Sequence, residues 1–278
     1  MFEDKIVVVR GGGDLASGTI NRLHNIGFKV LVLEIPQPNF IRRKVCYGQA
    51  IYEKEFILED VVSKKADNLN EIEKIWKERK IPVYVDPEMK IVPKIKPIAV
   101  VDAIIAKKNL GMRKDVAPIT IALGPGFEGG KDVDAVIETQ RGHNLGRVIF
   151  NGKAAENTGV PGIIKGYGKE RVIHAPASGK LKIVHDIGSV VKKDNVIAYI
   201  DEVPVYASLT GLIRGMIKDG SVVEKGLKII DIDPREEELK NCYTISDKAR
   251  TISGGVVEAL FYLMNRVPLK SNDKQEVK

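Results

Sequence analysis

"VVVRGGGDLASGTI", Val7 to Ile20, ends an apolar run on three glycines, adds an acid and continues into small residues. Ile6–Val9 is continuously apolar and β-branched, the pattern of a parallel strand buried on both faces. After the glycines, Leu15, Ile20, Leu23 and Ile26 recur at roughly helical spacing, and Gly27 closes the segment. A second buried run, Val30–Leu33, finishes at Glu34. Strand, turn, helix and strand in this order predict an α/β protein that begins with a Rossmann-like parallel sheet.

Within the turn, Gly11, Gly13 and Ala16 fill the G-x-G-x-x-(G/A) positions. The first glycine permits the tight turn, the second lets an anion approach, and the small third residue lets helix and strand pack closely. Amides at the helix start then face that anion. Gly11, Gly12, Gly13, Asp14, Leu15 and Ala16 are therefore candidate cofactor-binding residues. Glu34 closes the second strand, where a carboxylate can accept bonds from ribose hydroxyls. Asp14 has two readings: it repels an anion, or it caps the helix with its side chain, the favoured one. The ligand would then present sugar or another polar group at that point.

Further strands are expected at Val83–Val85 and Ile98–Val101, with Asp102 at the carboxyl end of the latter among the ligand-facing groups. Between the second and third runs, Asn68–Ile81 reads as an amphipathic surface helix with Trp76 toward the core. From Pro118 to Gly152 a buried strand, Ile119–Leu123, opens into Gly124-Pro125-Gly126, and another, Val133–Ile137, leads to "ETQRGHNLG". Glycines after a buried strand let amides converge on an anion, so Gly124 and Gly126 join the cofactor-binding candidates. Arg141 offers a bidentate fork for an anion. His143 is a plausible acid or base because imidazole titrates near neutrality. His143 and Asp102 are the candidate catalytic residues.

The last third contains a 32-residue internal repeat. Ala175 matches Ala207, Gly179 matches Gly211, Gly188 matches Gly220, Asp201 matches Asp233, and Ser189-Val190-Val191 recurs as Ser221-Val222-Val223. Short strands alternating with glycine turns predict half-sheets that each need the twin to close a core. The arrangement resembles the lipoyl/biotinyl-carrier fold, in which the modified lysine sits on the hairpin joining the halves. Here the joining residues, Asp201–Ala207, include no lysine, so the module is expected to be structural or a docking surface. From the acidic run Glu236–Glu238 onward a C-terminal helix is expected, interrupted by Gly254-Gly255 where another backbone packs closely, and the tail after Leu269 is expected to be disordered. The expected divisions are a Rossmann-like domain at 1–109, a glycine-rich segment completing the cleft at 110–170, the β module at 171–234, and helix and tail at 235–278.

The chain has 278 residues and a formal net charge of +7, scattered rather than gathered into the dense stripe of a nucleic-acid interface. No apolar run approaches the ~20 residues that span a bilayer. The first residues enter a strand without signal-peptide anatomy, so a cytoplasmic location is expected. Cys46 and Cys242 are too far apart for a metal knuckle, no His/Cys/carboxylate spacing predicts a metal site, and no Ser-His-Asp set is present. Cys46 follows Arg42, Arg43 and Lys44, which would lower a thiol pKa, although a buried, inert cysteine is the favoured reading.

Four segments carry a family resemblance: "RGGGDLASG" (Arg10–Gly18), "VDAIIAKKN" (Val101–Asn109), "GPGFEGGKDVDAVIETQRGHNLGRVI" (Gly124–Ile149) and "NTGVPGIIKGY" (Asn157–Tyr167). With the repeat that follows, they resemble the YqeB-type accessory proteins of the selenium-dependent molybdenum hydroxylase system, related to the XdhC-like accessory proteins of xanthine dehydrogenase. The resemblance implies binding, maturation or delivery of a molybdopterin-type cofactor to an apo molybdenum hydroxylase. Two alternatives stay open: an NAD-dependent oxidoreductase, for which Glu34 would favour NAD over NADP, and a scaffold that docks a partner enzyme through its β module. The cleft can lie within one chain or between the copies of a homo-oligomer.

Overall fold

The computed structural model describes residues 2–157, 159 and 162–266. The expected tail after Leu269 and part of the Asn157–Tyr167 motif lie outside the described residues. The buried runs become the centre of a nine-stranded sheet: β1 (Ile6–Arg10), β2 (Lys29–Glu34), β3 (Glu55–Leu58), β4 (Val61–Ala66), β5 (Ile81–Val85), β6 (Ala99–Asp102), β7 (Ile119–Leu123), β9 (Ala135–Ile137) and β10 (Val148–Ile149). The short β8 (Glu128–Gly129) and β11 (Gly152–Lys153) pair separately.

The spatial order is β10-β9-β7-β6-β1-β2-β5-β4-β3. All neighbours are parallel except the edge pairs β9–β10 and β3–β4. After β1 and β2 the chain forms the far edge with β3 and fills back through β4 to β5 beside β2, then crosses to β6 on the other side of β1 and builds the other way. This reversal makes the β1/β6 boundary a topological switch point, where a crevice opens beyond the carboxyl ends of the strands. The segment at 110–170, expected to complete the cleft, contributes β7, β9 and β10 to this same sheet.

Strand alternation feeds two cores. Val7 and Val9 pack with the helices α1 (Asp14–Ile26) and α5 (Asp247–Met264), whereas Val8 packs on the opposite face with α3 (Leu69–Lys77). Two single-turn helices, α2 (Ala50–Glu53) and α4 (Val92–Ile95), complete the set. Trp76 of α3 is buried and donates its indole N–H to the Val30 carbonyl at 2.8 Å. Gly27 stops α1 in the left-handed region at φ 104°, donating its N–H back to the last turn. The continuous C-terminal helix expected from Glu236 is broken. A 3₁₀ segment covers Glu236–Cys242, and α5 restarts at Asp247 because the Ser246 side chain caps it by accepting the Ala249 N–H. Its Gly255 packs directly on the Gly146 carbonyl, but Gly254 meets only the end of the Arg22 side chain.

The repeat forms two four-stranded antiparallel sheets from β12 (Val172–His174), β13 (Gly179–Ile183), β14 (Val190–Val191), β15 (Val196–Ile200), β16 (Val203–Tyr206), β17 (Gly211–Met216), β18 (Val222–Val223) and β19 (Lys228–Asp233). Their orders are β12-β19-β17-β14 and β16-β15-β13-β18. Each copy lends its middle strand to the other copy's sheet. Gly179 pairs with Val223 and Gly211 with Val191, the same contact displaced by one repeat. Leu181, Ile197, Leu212, Ile213, Ile230 and Ile232 fill the core between the sheets. Ile41, in the loop after β2, packs against that core, and its carbonyl accepts the Met216 N–H at 2.6 Å. Arg43 fixes the same junction by donating to the Met216 carbonyl and pairing with Asp186.

Candidate functional site

The glycine turn lies at the switch point, as the spacing predicts. Gly11 has φ 97° and donates its N–H to the Leu33 carbonyl at 2.8 Å. A Cβ at Gly12 would come within 2.7 Å of Gly48, so a side chain cannot fit there. The Gly12 N–H donates to Glu34 Oε1 at 2.6 Å, and the Ile35 N–H donates to Oε2 at 3.0 Å. Burial raises the Glu34 pKa, against the opposing pull of these two amides. Glu34 thus ties the turn to β2 and takes up the Gly12 amide, while it also lines the apolar lobe of the cleft.

Asp14 is not the cap of α1: Gly13 is, and no side chain caps that end. The Asp14 carboxylate instead receives two bonds from Arg42, at 3.0 and 3.1 Å, and Arg42 also donates to the Asn241 carbonyl at 2.8 Å. Its charge is therefore compensated on the spot. At the start of α1 the amides of Asp14, Leu15 and Ala16 have no intrahelical acceptor, and they are the part of the predicted cradle that can meet an anion.

Asp102 is only 2% exposed and is engaged by Arg10, whose Nη1 donates to Oδ2 at 3.1 Å. Burial raises the Asp102 pKa, and Arg10 opposes it. Arg10 Nη2 donates to the Pro87 and Leu110 carbonyls, both at 2.8 Å, and Nε has no acceptor. Asp102 therefore anchors a buried arginine that pins two loops beside the cleft.

The glycines of the middle segment also resolve into packing. A Cβ on Gly124 would lie 2.6 Å from the Thr139 hydroxyl, and one on Gly126 would lie 2.6 Å from the Lys108 amide. Both also have positive φ. Neither lines the two cavities of the cleft. His143 is exposed and stands outside the cleft walls, which removes the geometric basis for acid or base work there. Arg141 does reach the cleft but is clamped by Asp247, at 2.8 and 3.0 Å. These bonds hold the Asp247 pKa down at about 2 and raise that of Arg141.

Two cavities form the cleft. One, of about 640 Å³, runs over Gly11, Gly13 and Ala16 between the apolar side chains of Phe40, Ile104 and Ile105. The other, of about 870 Å³, lies among the start of α5, Arg141 and the β module. They share Asp14, Leu15, Arg214, Lys228 and Asp231 in their walls, which makes them adjoining lobes of one space. The second lobe is lined by seven basic side chains against four acidic ones.

Four of those cations are already matched: Arg141 by Asp247, Arg171 by Asp231, Arg235 by Asp233 and Glu238, and Arg250 by Glu59. Arg214 has only a 3.8 Å approach to Asp231. Among the described residues, Lys228 and Lys248 of this lobe form no ion pair. Burial lowers the Arg214 pKa, as does the neighbouring Arg42; burial followed by Arg141 does the same to Lys248. These three cations were missed by motif reading. The available signal was the loss of repeat symmetry at Arg214 and Lys228.

Cys46 borders the apolar lobe, is buried, and donates its thiol to the Arg42 carbonyl at 3.1 Å. Burial and then Asp14 push its pKa well above the usual thiol value, outweighing Arg42. The basic run before it points elsewhere, Arg42 to Asp14 and Arg43 to Asp186, so no thiolate is favoured. Among the described residues, no group of three His, Cys, Asp or Glu side chains is placed to hold a metal ion. No described helix is long and apolar enough to cross a membrane.

Fold and cleft together define an α/β protein with a ligand-sized space at the switch point of a mostly parallel sheet, walled on one side by an antiparallel β module. The chain is 50% identical over 262 residues, 94% of its length, to the uncharacterized protein YqeB of Escherichia coli (strain K12), and spans 48% of that protein's length. No protein-family model matches. The product-bound structure of the ectoine utilization protein EutE (DoeB) from Ruegeria pomeroyi aligns with 82% of this chain and 57% of its own, at 12% identity and a TM-score of 0.23, too distant to carry an argument.

Proposed function

We propose that the cleft binds a ring-bearing anionic cofactor of the molybdopterin type, and that the protein binds, matures or delivers it for a molybdenum hydroxylase. The observation that carries the binding half is the pairing of an apolar lobe over the glycine turn with a lobe holding surplus positive charge. A flat heterocycle suits the walls of Phe40, Ile104 and Ile105. Its anionic end suits the first-turn amides of α1 and the cations beyond Leu15. The donor set fits such a group, because Asp14 is neutralised by Arg42 and Gly13 has only the Phe40 ring, at 3.8 Å, near its absent side chain.

The molybdenum class and the apo-hydroxylase partner come from the motif resemblance stated above, and the likeness to YqeB supports only the first step of it. When bound, a molybdopterin supplies the metal and its redox chemistry; the residues of this chain seat, orient and shield it. The two interleaved sheets, in this reading, are a lipoyl-like module that has no carrier lysine and serves as a wall of the cleft.

The test is to purify the protein natively from a molybdenum-replete host, denature it, and identify the released small molecules by mass spectrometry with metal analysis. A pterin derivative, lost on Gly13→Asp, supports the proposal. Release of NAD(H) alone would replace it with the oxidoreductase reading.

A further inference from the structure

The two copies of the repeat share one strand scheme, yet they differ where the second faces the cleft. In the first copy, β13 and β15 pair regularly, with Lys182 opposite Tyr199. In the second copy, the register of β17 against β19 slips by one between Ile213 and Gly215, which leaves Arg214 as an extra, unpaired residue on a β-bulge. Arg214 is the repeat equivalent of Lys182, which is exposed. Bulges of this kind re-aim a side chain and concentrate beside functional sites. Here the bulge brings Arg214 to the wall common to both lobes.

Two more positions diverge, each gaining a charge in the second copy. Val196 of the first copy corresponds to Lys228 of the second, and Tyr199 corresponds to Asp231. Lys228 and Asp231 line both lobes beside Arg214. Asp231 lies 3.5 Å from Arg171, which it matches, and 3.8 Å from Arg214, so little of its charge is left to compensate Arg214. Gly215 beside the bulge is equally specific: a Cβ there would come within 2.8 Å of Ile41, the residue that seats the module against the sheet. Bulge, charge changes and docking contact therefore coincide on one face of one copy.

We propose that Arg214, Lys228 and Lys248 form a diphosphate subsite facing the N-terminus of α1, so that the β module supplies the selectivity of the cleft. This rests on the binding reading above and assigns to the ligand a nucleotide form, joined through a diphosphate. Three cations lacking full partners match the several negative charges of a diphosphate better than those of a single phosphate. The Arg214 fork supplies paired donors, while the two lysines act as point charges. The nearby carboxylates of Asp14 and Asp247 are held by Arg42 and Arg141, so they oppose an anion less than free carboxylates would.

The experiment is calorimetric titration of the full chain with inorganic pyrophosphate and with orthophosphate. The proteins are wild type, Arg214→Gln, Lys228→Gln and, as the repeat control, Lys182→Gln, each checked for an unchanged unfolding midpoint. Pyrophosphate should bind wild type more tightly than orthophosphate. Arg214→Gln and Lys228→Gln should each weaken it by roughly tenfold or more, the usual scale for losing a charge-assisted bond, and Lys182→Gln should leave it unchanged. Equal affinity in Arg214→Gln and wild type, equal loss in Lys182→Gln, or no pyrophosphate binding at all would overturn the subsite. The cofactor-release experiment judges the parent reading separately: a released pterin without pyrophosphate binding overturns only the subsite. Pyrophosphate binding with NAD(H) as the released molecule supports the subsite and overturns only the molybdopterin reading.

Discussion

Removing the carboxylate of Asp102 leaves the Arg10 guanidinium buried against two neutral carbonyls, with its Nε already lacking an acceptor. Breaking a buried ion pair from one side costs about 3–5 kcal/mol, because the remaining charge keeps its desolvation cost and loses its compensation. For a chain of this size that corresponds to a fall of roughly 6–20 °C in unfolding midpoint. Replacing both partners with apolar residues of similar volume removes the stranded charge as well as the bond. Asp102→Leu with Arg10→Met should therefore recover most of the loss. Thermal and urea unfolding of wild type, Asp102→Ala, Arg10→Met, Asp102→Leu and the Asp102→Leu/Arg10→Met pair measure the effect. The folded fraction of Asp102→Ala should retain the cleft's ligand affinity, because Asp102 lies behind the cleft wall. An Asp102→Ala protein within about 0.5 kcal/mol of wild type that has lost ligand binding would refute this reasoning. It would return Asp102 to the active role its strand-end position first implied.

The adjacent glycines of α5 should respond with opposite signs. Gly254→Ala gains about 1 kcal/mol of helix propensity against a flexible arginine tip, whereas Gly255→Ala, forced onto the Gly146 carbonyl, loses about 1–3 kcal/mol, both read by urea unfolding. The Asp247–Arg141 pair gives a pH signature. Asp247 titrates at about 2 when folded and near 3.8 when unfolded, so its stabilising contribution is present above 3.8 and lost as pH falls through about 2. The gap between wild type and Asp247→Asn should close over that window in acid titrations. At 75% exposure of the Asp247 side chain, the gap should be small throughout. Cys46 should resist iodoacetamide in the native protein at pH 8 and react fully in denaturant; rapid native labelling would contradict its burial.

The central strands were legible because burial on both faces leaves an uninterrupted β-branched run, and the first helix because Gly13 and Gly27 bracket its apolar spacing. The repeat was legible from its glycines, and its interleaving follows from each copy's inability to bury its own apolar face. The β3–β4 hairpin escaped notice. In "EFILEDVVSKKA" most charges fall in the Glu59-Asp60 turn and at Lys64 and Lys65 of the inner strand, so neither a long buried run nor clean alternation marks the hairpin. The break before α5 was hidden because the acidic run Glu236–Glu238 looks like a first helical turn, while the actual cap, Ser246, lies further on.

At the site, residue type and strand-end position located the cleft but not the role of each side chain. Glu34, Asp102 and Asp14 are acids in ligand-facing positions whose oxygens are taken by the chain's own donors, Gly12, Arg10 and Arg42. Those partners lie on other segments, and no local spacing announces them. His143 and the glycines at 124 and 126 share a motif with Arg141, yet only Arg141 reaches the cleft. Conversely, Arg214 gains its place from a bulge, which register alone determines.

The most direct measurement is a crystal structure of the natively purified protein with its co-purified ligand retained. The account predicts ligand density over the glycine turn between Phe40 and Ile104, continuing past the amides of Leu15 and Ala16 to Arg214 and Lys228. A co-purified ligand bound elsewhere, with this cleft filled only by solvent, would contradict it.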